Sequence, residues 1–321
     1  MPGSLTGKTI AVTGAAGFIG SRVVDRLAAD AGHVIRVARA ALPPIENAAA
    51  ASVIDMIGDV TDRAIWDQVA DADVVFHFAA QTSESCDADG VDGHFHANVM
   101  PIRHLLASCA RRRRRPIVVF AGTVTQAGIP SRLPVNEDEP DDPITAYDRH
   151  KLMAENDLEA ASAQGAVCGV TLRLSNVYGP GPAGRKHDRD VLNRMIAAAL
   201  RGGPLTVFGT GEYVRDYVFV DDVVDAFLRA ATHAEKINGR HFVVGSGRGV
   251  TVRGAFGLVA ARVEAVTGRR VPVVTADPPA ALSEIQRRHF VADPSRFSTA
   301  TGWCPSWSLS DGIDRTIEVL A

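Results

Sequence analysis

A tyrosine and a lysine four residues apart carry the clearest chemistry in the sequence. Tyr147 and Lys151 form a YxxxK pattern at the start of a helix-like segment, and side chains at i and i+4 lie on one helical face. A nearby ammonium favours the phenolate, which lowers the pKa of a tyrosine from its reference value of about 10. We expect Tyr147 to pass a proton to or from a sugar or alcohol oxygen, and Lys151 to reach a nicotinamide ribose.

Two threonines follow an apolar, strand-like run upstream of this pair. Thr123 and Thr125 come just after residues 117–121, and ligands in open parallel sheets bind at the carboxyl ends of the strands. Either hydroxyl can complete a Thr–Tyr–Lys set by bonding the substrate oxygen. The simpler alternative for each threonine is a β-branched residue that only ends a strand.

A glycine-rich turn joins the first strand-like run to the first helix-like segment. Its pattern is GxxGxxG, with Gly14 for the tight turn, Gly17 for close approach to a pyrophosphate and Gly20 for close packing of helix on strand. The helix that begins with Phe18 and Ile19 presents its N-terminus to the phosphate. The turn therefore predicts a dinucleotide cofactor bound by these five residues.

The end of the second strand bears on which cofactor this is. An acidic residue there usually grips the ribose 2′-hydroxyl of NAD, but this chain has Ala38 and Arg39, and the next acid is Glu46. A guanidinium attracts a 2′-phosphate and can bind it through two hydrogen bonds. Arg39 therefore favours NADP(H), with NAD possible. The alternative is that Arg39 is a solvated surface side chain.

Residues after the third and fourth strands are further candidates for the same cleft. Asp59 could reach the adenine amino group, and small residues after the fourth strand would let the cofactor pass the strand ends. Gln81 is a candidate substrate contact. The cofactor candidates at these two strand ends are Asp59, Val60, Phe78, Ala79 and Ala80.

The first half of the chain alternates apolar runs with helical patterns. Strands are predicted at 9–13, 34–38, 53–57, 74–78, 117–121 and 169–173, and helices at 18–29, 98–112 and 146–163. This alternation predicts an α/β fold, a Rossmann doubly wound parallel sheet with a smaller, interleaved C-terminal substrate domain. We assign residues 1–178 plus about 216–246 to the dinucleotide-binding domain, and about 179–215 plus 247–321 to the substrate domain.

The second half is less regular. Helices are predicted at 191–201, 221–232, 251–267 and 310–320, with Asp221 and Ser310 as N-caps. The chain is expected to return to the main sheet near residues 241–244.

Composition excludes several classes of protein. The 321 residues include 34 basic and 37 acidic side chains, a formal net charge of −3, which argues against a nucleic-acid partner. No apolar run reaches the roughly 18 residues of a membrane helix, and no signal-peptide h-region is visible, so we expect a cytoplasmic protein without a membrane partner. The 4 cysteines have no CxxC pair and the 10 histidines no ligand spacing, so no metal site is expected.

Basic and histidine residues outside these motifs have plain structural interpretations. The run Arg111–Arg115 precedes a proline and is interpreted as a helix end, where cations suit the helix dipole. His77, at a strand end, is interpreted as a packed residue. His94 and His96 are placed in a loop near the mouth of the site.

Together the motifs resemble the extended short-chain dehydrogenases/reductases. Within them, the chain is most similar to the NAD(P)-dependent nucleotide-sugar epimerase/dehydratase group. The resemblance extends over nearly the whole chain and is carried by residues 14–20, 78–80, 147–151, 172–181 and 215–223.

The resemblance implies roles for individual residues. Thr123 would be the catalytic hydroxyl, Tyr147 the proton-transfer residue and Lys151 its partner lysine. Asn176 would contact the nucleotide-sugar substrate, and Arg215 would bind the nucleotide diphosphate, which suits guanidinium chemistry. Members of this family usually form homodimers through the helices predicted here at 98–112 and 146–163.

Two departures from the epimerase pattern decide the favoured activity. Gln126-Ala127-Gly128 stands where sugar 4-epimerases usually have Val-Tyr-Gly, and the acid at Ala38/Arg39 is missing. Both features resemble 4-ketoreductases, which implies NADPH-dependent reduction of the C4 ketone of a dTDP-4-keto-6-deoxyhexose. The alternative is an NAD-dependent nucleotide-sugar 4-epimerase. A catalytically idle NADP-binding protein is disfavoured by the intact Thr–Tyr–Lys set.

Overall fold

A computed structural model describes residues 5–29, 32–45, 51–82, 90–182, 191–278 and 284–321. Its strands are β1 Thr9–Thr13, β2 Gly32–Ala38, β3 Ala51–Ile57, β4 Val74–His77, β5 Ile117–Thr123, β6 Cys168–Leu174, β7 Asn176–Tyr178, β8 Leu205–Phe208, β9 Val214–Phe219, β10 Arg240–Val244, β11 Gly249–Thr251 and β12 Val273–Ala276. Seven of them form the main sheet in the order β10-β6-β5-β4-β1-β2-β3. Every pairing in this sheet is parallel.

Helices cover both faces of this sheet and form most of a second unit. They are α1 Phe18–Ala28, α2 Arg63–Val69, α3 Gly90–Asn98, α4 Met100–Arg112, α5 Ala146–Ala163, α6 Val191–Leu200, α7 Val220–Thr232, α8 Ala234–Ile237, α9 Val252–Thr267, α10 Glu284–Arg287, α11 Ser295–Thr301 and α12 Leu309–Leu320. Strands that helices cover on both faces become fully buried. All seven residues of β6 are buried. The predicted Rossmann doubly wound fold is confirmed.

The second unit is smaller and interleaved with the first. It contains the three-stranded sheet β11-β9-β7 and the pair β12-β8. Apolar residues of α6, α9 and α12, among them Ile196, Val259 and Ile313, form a cluster separate from the core of the main sheet. The chain returns to the main sheet as β10, as predicted for residues 241–244. The proposed domain boundaries themselves stay a prediction.

Both predicted N-caps are wrong by two residues. Phe219 is the N-cap of α7, and Asp221 lies in its first turn, where its carboxylate accepts a hydrogen bond from Arg22 at 2.6 Å. Ser308, not Ser310, caps α12 by accepting from the backbone N–H of Asp311 at 3.2 Å. The choice among neighbouring polar residues depends on the path by which the chain enters the helix.

The predicted helix 98–112 is divided in two. The structure ends α3 at Asn98 and begins α4 at Met100, with Val99 as N-cap and Pro101 in the first turn. Proline suits a first turn because its missing N–H has no helical partner there. His94 and His96 consequently lie on α3, so their predicted loop position is wrong.

The arginine run closes α4, as interpreted from the sequence. Four of the arginines pair with acidic side chains, and Arg113 ends the helix with a left-handed φ of 52°. The pairs are Arg111–Asp67, Arg112–Asp71, Arg114–Asp73 and Arg115–Glu235. No helix in the described part of the chain is long and apolar enough to span a membrane.

Candidate active site

The glycine turn has the geometry of a phosphate cradle. Gly14 has a φ of +65°, and a Cβ on it would lie 2.8 Å from the backbone nitrogen of Ala79. A Cβ on Gly20 would overlap the carbonyl oxygen of Gly14. Gly17 is the N-cap of α1 and has no side chain to fill the space before Phe18. The backbone of this turn therefore fits the diphosphate of a dinucleotide.

The strand ends beside the turn hold the remaining cofactor candidates. Arg39 follows β2 and is exposed, and Asp59 is exposed beyond β3. The Asp59 carboxylate accepts from the N–H and hydroxyl of Thr61, both at 2.9 Å, while the carbonyl of Val60 accepts from the indole of Trp66 at 2.7 Å. Their roles toward a cofactor stay predictions.

The segment after β4 lies against the glycine turn. This segment comprises Phe78, Ala79 and Ala80. The backbone N–H of Ala79 donates a hydrogen bond to Thr13 Oγ1 at 3.3 Å. The side chain of Asn98 accepts from the N–H of Gln81 and donates to its carbonyl, both at 3.1 Å. These bonds fix the backbone of Gln81.

His77 at the end of β4 is a packed residue, as interpreted from the sequence. Its ring is fully buried, stacks on Phe120 and meets Trp66 edge-on, and its Nδ1 lies 2.7 Å from Thr13 Oγ1. Burial, together with the charge of nearby Lys151, lowers the pKa of His77 to about 3. The ring is therefore neutral at physiological pH.

Tyr147 and Lys151 come together on α5 as predicted. Lys151 is only 2% exposed, and its Nζ lies 4.4 Å from the ring centroid of Phe120 and 5.9 Å from that of Tyr147. The ammonium donates a hydrogen bond to the carbonyl of Ala121 at 2.8 Å. Burial lowers the pKa of Lys151 to about 7, although the charge of Glu155 opposes this shift.

Thr123 and Thr125 belong to one hydrogen-bonded series, which we call the hydroxyl chain. Thr123 ends β5, and its Oγ1 lies 2.8 Å from Oγ1 of Thr125 in the 3₁₀ turn that follows. The hydroxyl of Thr125 donates to the buried carboxylate of Asp148. The sequence motifs assign no role of its own to Asp148. The Thr-x-x-Asp pattern of a capping box at Thr145 was the available signal.

A buried network of polar side chains holds the backbone of Thr123 in place. Gln126 Oε1 accepts from the backbone N–H of Thr123 at 2.9 Å, and its Nε2 donates to Glu155 at 3.1 Å. Glu155 also accepts from Arg173 Nε at 3.1 Å, and Arg173 donates to Asp141 at 2.6 Å. Gln126 therefore replaces an apolar residue of the family pattern with a buried link between the site and α5.

His94 and His150 form a second polar contact beside Tyr147. Their Nδ1 atoms lie 2.9 Å apart, and the ring of His94 meets that of Tyr147 edge-on at 6.1 Å. Burial, with the charges of His94 and Arg149, lowers the pKa of His150. Among the described residues, no group of three or more His, Cys, Asp or Glu side chains is placed to hold a metal ion.

Arg215 is half-buried beside an arginine that sequence reasoning missed. Arg215 lies on β9, which pairs with β7, the strand that begins at Asn176. Its guanidinium donates to the carbonyl of Val214 at 3.0 Å and to the carbonyl of Arg288. Burial lowers the pKa of Arg215. Arg288 has no fixed spacing from the other motifs, so no sequence signal identified it.

Arg215 and Arg288, which we call the guanidinium pair, are the candidate anion-binding residues of the site. Arg288 is 7% exposed, and its Nε and Nη1 have no hydrogen-bond partner among the described residues. Burial, together with the Arg215 charge, lowers the pKa of Arg288 to about 10, although the carboxylate of Asp148 opposes this shift. A buried guanidinium with unused donors in the described structure, next to a second cation, favours a bound anion such as a diphosphate.

Comparisons with known proteins identify the family of this chain. The model of the NAD dependent epimerase/dehydratase family matches residues 10–245. A UDP-glucose 4-epimerase of Mycolicibacterium smegmatis is 32% identical over 315 residues, covering 96% of each chain. The structure of UDP-glucose 4-epimerase with UDP-glucose from Thermotoga maritima has a TM-score of 0.83 and 31% identity over 97% of this chain and 98% of that one.

A further solved structure contains the cofactor. UDP-glucose 4-epimerase from Brucella ovis in complex with NAD has a TM-score of 0.79 and 27% identity over 97% of this chain and 96% of that one. The family match includes the glycine turn, the YxxxK pair and Arg215 in a single span. The chain therefore belongs to the NAD-dependent epimerase/dehydratase family of nucleotide-sugar enzymes.

Proposed function

We propose that this protein is an NAD-dependent 4-epimerase of nucleotide sugars, with a UDP-hexose as substrate. The observation that carries the proposal is the position of the guanidinium pair. Arg215 bonds the backbone carbonyl of Arg288 and lies on β9, which pairs with β7, the strand that begins at Asn176. Arg288 in turn interacts with the charge of Asp148, which directly follows Tyr147. A diphosphate bound by Arg215 and Arg288 would thus have its sugar near Tyr147. The similarity of the chain to proteins described as UDP-glucose 4-epimerases supports this reaction.

The cofactor would lie across the carboxyl ends of β1 and β4. The backbone of Gly14, Gly17 and Gly20 would hold its diphosphate, with Phe78 and Ala79 along one side. The chemistry that a bound nicotinamide supplies is the reversible removal of hydride from C4 of the sugar.

The chain's own residues handle the proton and the sugar. Tyr147 would take the proton of the C4 hydroxyl and return it, and the Lys151 ammonium would stabilise the phenolate form. Thr123 would bond the C4 oxygen. Asn176 and Gln81 would contact the sugar.

A 4-ketoreductase is the second candidate, and Arg39 favours it. No acid occurs between Ala38 and Ile45, and the exposed Arg39 suits the 2′-phosphate of NADPH. The substrate would then be a dTDP-4-keto-6-deoxyhexose, with Tyr147 donating the proton to the C4 oxygen.

One experiment separates the two activities. The purified protein is denatured, the released nicotinamide is identified by mass spectrometry, and native protein is incubated with UDP-glucose without added cofactor. We expect NAD in the released fraction and conversion to UDP-galactose, reduced about 10²- to 10⁴-fold by Tyr147→Phe. Absence of bound nicotinamide, with NADPH consumed on addition of dTDP-4-keto-6-deoxyglucose, would contradict the epimerase and favour the reductase.

We also propose that the protein is a homodimer formed through α4 and α5. Arg103 on α4 pairs with Asp157 on α5 at 2.7 Å, and Met153 on the outer face of α5 is 38% exposed. Light scattering should give twice the chain mass, and Met153→Arg should give the monomer. A monomeric wild-type protein would contradict this assembly.

A further inference from the structure

Two histidines that the proposed reaction does not use are buried beside Tyr147. His94 on α3 and His150 on α5 are each 7% exposed, and their Nδ1 atoms lie 2.9 Å apart. Burial is the main cause that lowers the pKa of His150, so this ring is neutral at physiological pH. Two imidazole nitrogens at this distance share one proton, which one ring donates and the other accepts.

The backbone of Gln81 identifies the ring that donates. Its N–H can only donate, and the side-chain oxygen of Asn98 accepts from it at 3.1 Å, so the amide nitrogen of Asn98 occupies the position 3.0 Å from Nδ1 of His94. The two amide protons are shared among this Nδ1 and the carbonyls of Gln81 and His94, at 3.1 and 3.0 Å. Because an amide nitrogen has no lone pair to offer, Nδ1 of His94 must be an acceptor. The proton between the two rings therefore belongs to His150.

This hydrogen-bonded series ends on the ring of Tyr147. The ring of His94 meets that of Tyr147 edge-on, with an interplanar angle of 89° and 6.1 Å between the ring centroids, which is a favoured geometry for an aromatic pair. Because Nδ1 of His94 is bonded from two sides, this ring cannot turn without losing both hydrogen bonds. The fixed ring of His94 consequently limits the positions open to the tyrosine.

The helix that carries His94 is weak by its own sequence. Two of the nine residues of α3 are glycines, which lower helix stability, so contacts with neighbouring helices have to fix its position. Two consecutive residues of α3 contact one side chain of α5, since His94 bonds His150 and the ring of Phe95 meets it edge-on at 5.6 Å. His150 therefore anchors α3 beside Tyr147.

We propose that His94 and His150 are positioning residues for Tyr147, in which the Nδ1–H of His150 donates to Nδ1 of His94 and holds that ring against the tyrosine. The inference rests on the proposed function, in which Tyr147 takes and returns the proton of the C4 hydroxyl. It makes the contribution of His150 depend on a single ring nitrogen, and not on the size of the side chain.

Three substitutions of His150 separate the position of the donor from the bulk of the ring. His150→Phe retains an aromatic ring and has no donor. The side-chain nitrogen of asparagine can occupy the position of histidine Nδ1, so His150→Asn restores the donor. The side-chain nitrogen of glutamine lies one bond farther from the backbone, near the position of Nε2, so His150→Gln is the matched control with the same group in the wrong place.

The test measures kcat for the epimerisation of UDP-glucose by each variant. Rates are expressed per UDP-binding site, counted by calorimetry, so that a loss of folded protein cannot lower them. One neutral hydrogen bond corresponds to about five- to tenfold in rate when it acts on the transition state. We expect a fall of this size in His150→Phe and His150→Gln, recovery in His150→Asn, and an unchanged Kd of UDP in all three.

A second background tests whether the pair acts through Tyr147. Adding His150→Phe to Tyr147→Phe should leave the residual rate unchanged, whereas a general structural role would lower the rate by the same factor in both backgrounds. His94→Phe removes the acceptor, so it should slow the enzyme as His150→Phe does, and combining the two should have no further effect.

The outcomes distinguish this inference from the proposed function. An unchanged kcat in His150→Phe, equal rates of the asparagine and glutamine variants, or the same fall in both backgrounds would overturn the inference and leave the epimerase in place. Absence of UDP-glucose epimerisation by the wild-type protein would instead refute the proposed function, and this inference with it.

Discussion

Two buried arginines near α5 show opposite ways of placing a charge inside a protein. Arg173 is bonded to the carboxylates of Glu155 and Asp141, whereas Arg288 has two nitrogen atoms without a partner in the described structure and lies beside a second cation, Arg215. A buried charge needs a counter-charge and hydrogen bonds. Arg173 has both within the fold, whereas Arg288 has the charge of Asp148 but would gain its missing hydrogen bonds from a bound anion.

The largest effect is expected when the compensated charge is removed. Arg173→Met leaves Glu155 buried without its partner, so the free energy of unfolding should fall by about 3–5 kcal/mol. Chemical denaturation measures this. The control is Arg315→Met, which removes an exposed pair with Glu318 and should cost less than about 1 kcal/mol. Equal effects of the two substitutions would mean that burial does not distinguish these pairs.

Removing the uncompensated charge should affect binding and not stability. Arg288→Met eliminates charge-assisted bonds to a diphosphate, so UDP affinity should fall about 10- to 100-fold, while the free energy of unfolding stays the same or rises. Calorimetry and denaturation report the two quantities. Its exposed neighbour provides the control, Arg287→Met, for which we expect unchanged affinity. A large loss of stability in Arg288→Met would show that this arginine is structural.

Lys151 is intermediate between the compensated Arg173 and the uncompensated Arg288, because the charge of Glu155 offsets only part of the cost of burying its ammonium. Its folded pKa is lowered from 10.5 to about 7, so the unfolded chain binds more protons between these values and folding stability rises with pH there. Relative to Lys151→Met, the wild type should gain up to about 1.4 kcal/mol per pH unit above pH 7, with no change below it. Denaturation of both proteins across this range tests the sign. A difference independent of pH would place the Lys151 pKa outside the range.

A third arginine, Arg113, lowers the stability of the fold through its backbone conformation and not through its charge. Its φ of 52° strains a residue with a Cβ by about 1–2 kcal/mol, and glycine avoids this while losing about 0.5–1 kcal/mol to its greater unfolded freedom. Arg113→Gly should therefore raise the melting temperature slightly. Arg113→Ala keeps the Cβ and should show no gain, so an equal rise in both variants would assign the effect to the side chain.

Local pattern was sufficient to predict much of the fold. The helix predicted at residues 146–163 has the bounds that the structure gives α5, and the structure shows a capping box at Thr145 where this helix begins. The glycine turn was predictable because its spacing reflects close backbone approaches. The strand limits shifted by a few residues at most, since pairing with a neighbour extends a strand beyond its apolar run.

The parts of the site that depend on tertiary contacts were not predictable in this way. Arg288 reaches Arg215 because its segment bonds to β9, through the N–H of Phe290 and the carbonyl of Val214 at 3.1 Å. Nothing in its local sequence distinguishes it from Arg287. The contact of Asp148 on α5 similarly depends on Thr125, which lies in the turn after β5.

The position of β10 in the sheet has a consequence for synthesis of the chain. The strand pairs with β6 at one edge of the sheet, yet most of the second unit's strands separate the two in the sequence. During translation the N-terminal elements emerge first, so the fully buried β6 must wait with an unpaired edge until residue 244 has left the ribosome. An edge of this kind is a site for mispairing between chains, and the nascent protein is therefore most vulnerable to aggregation, and most in need of a chaperone, in that interval.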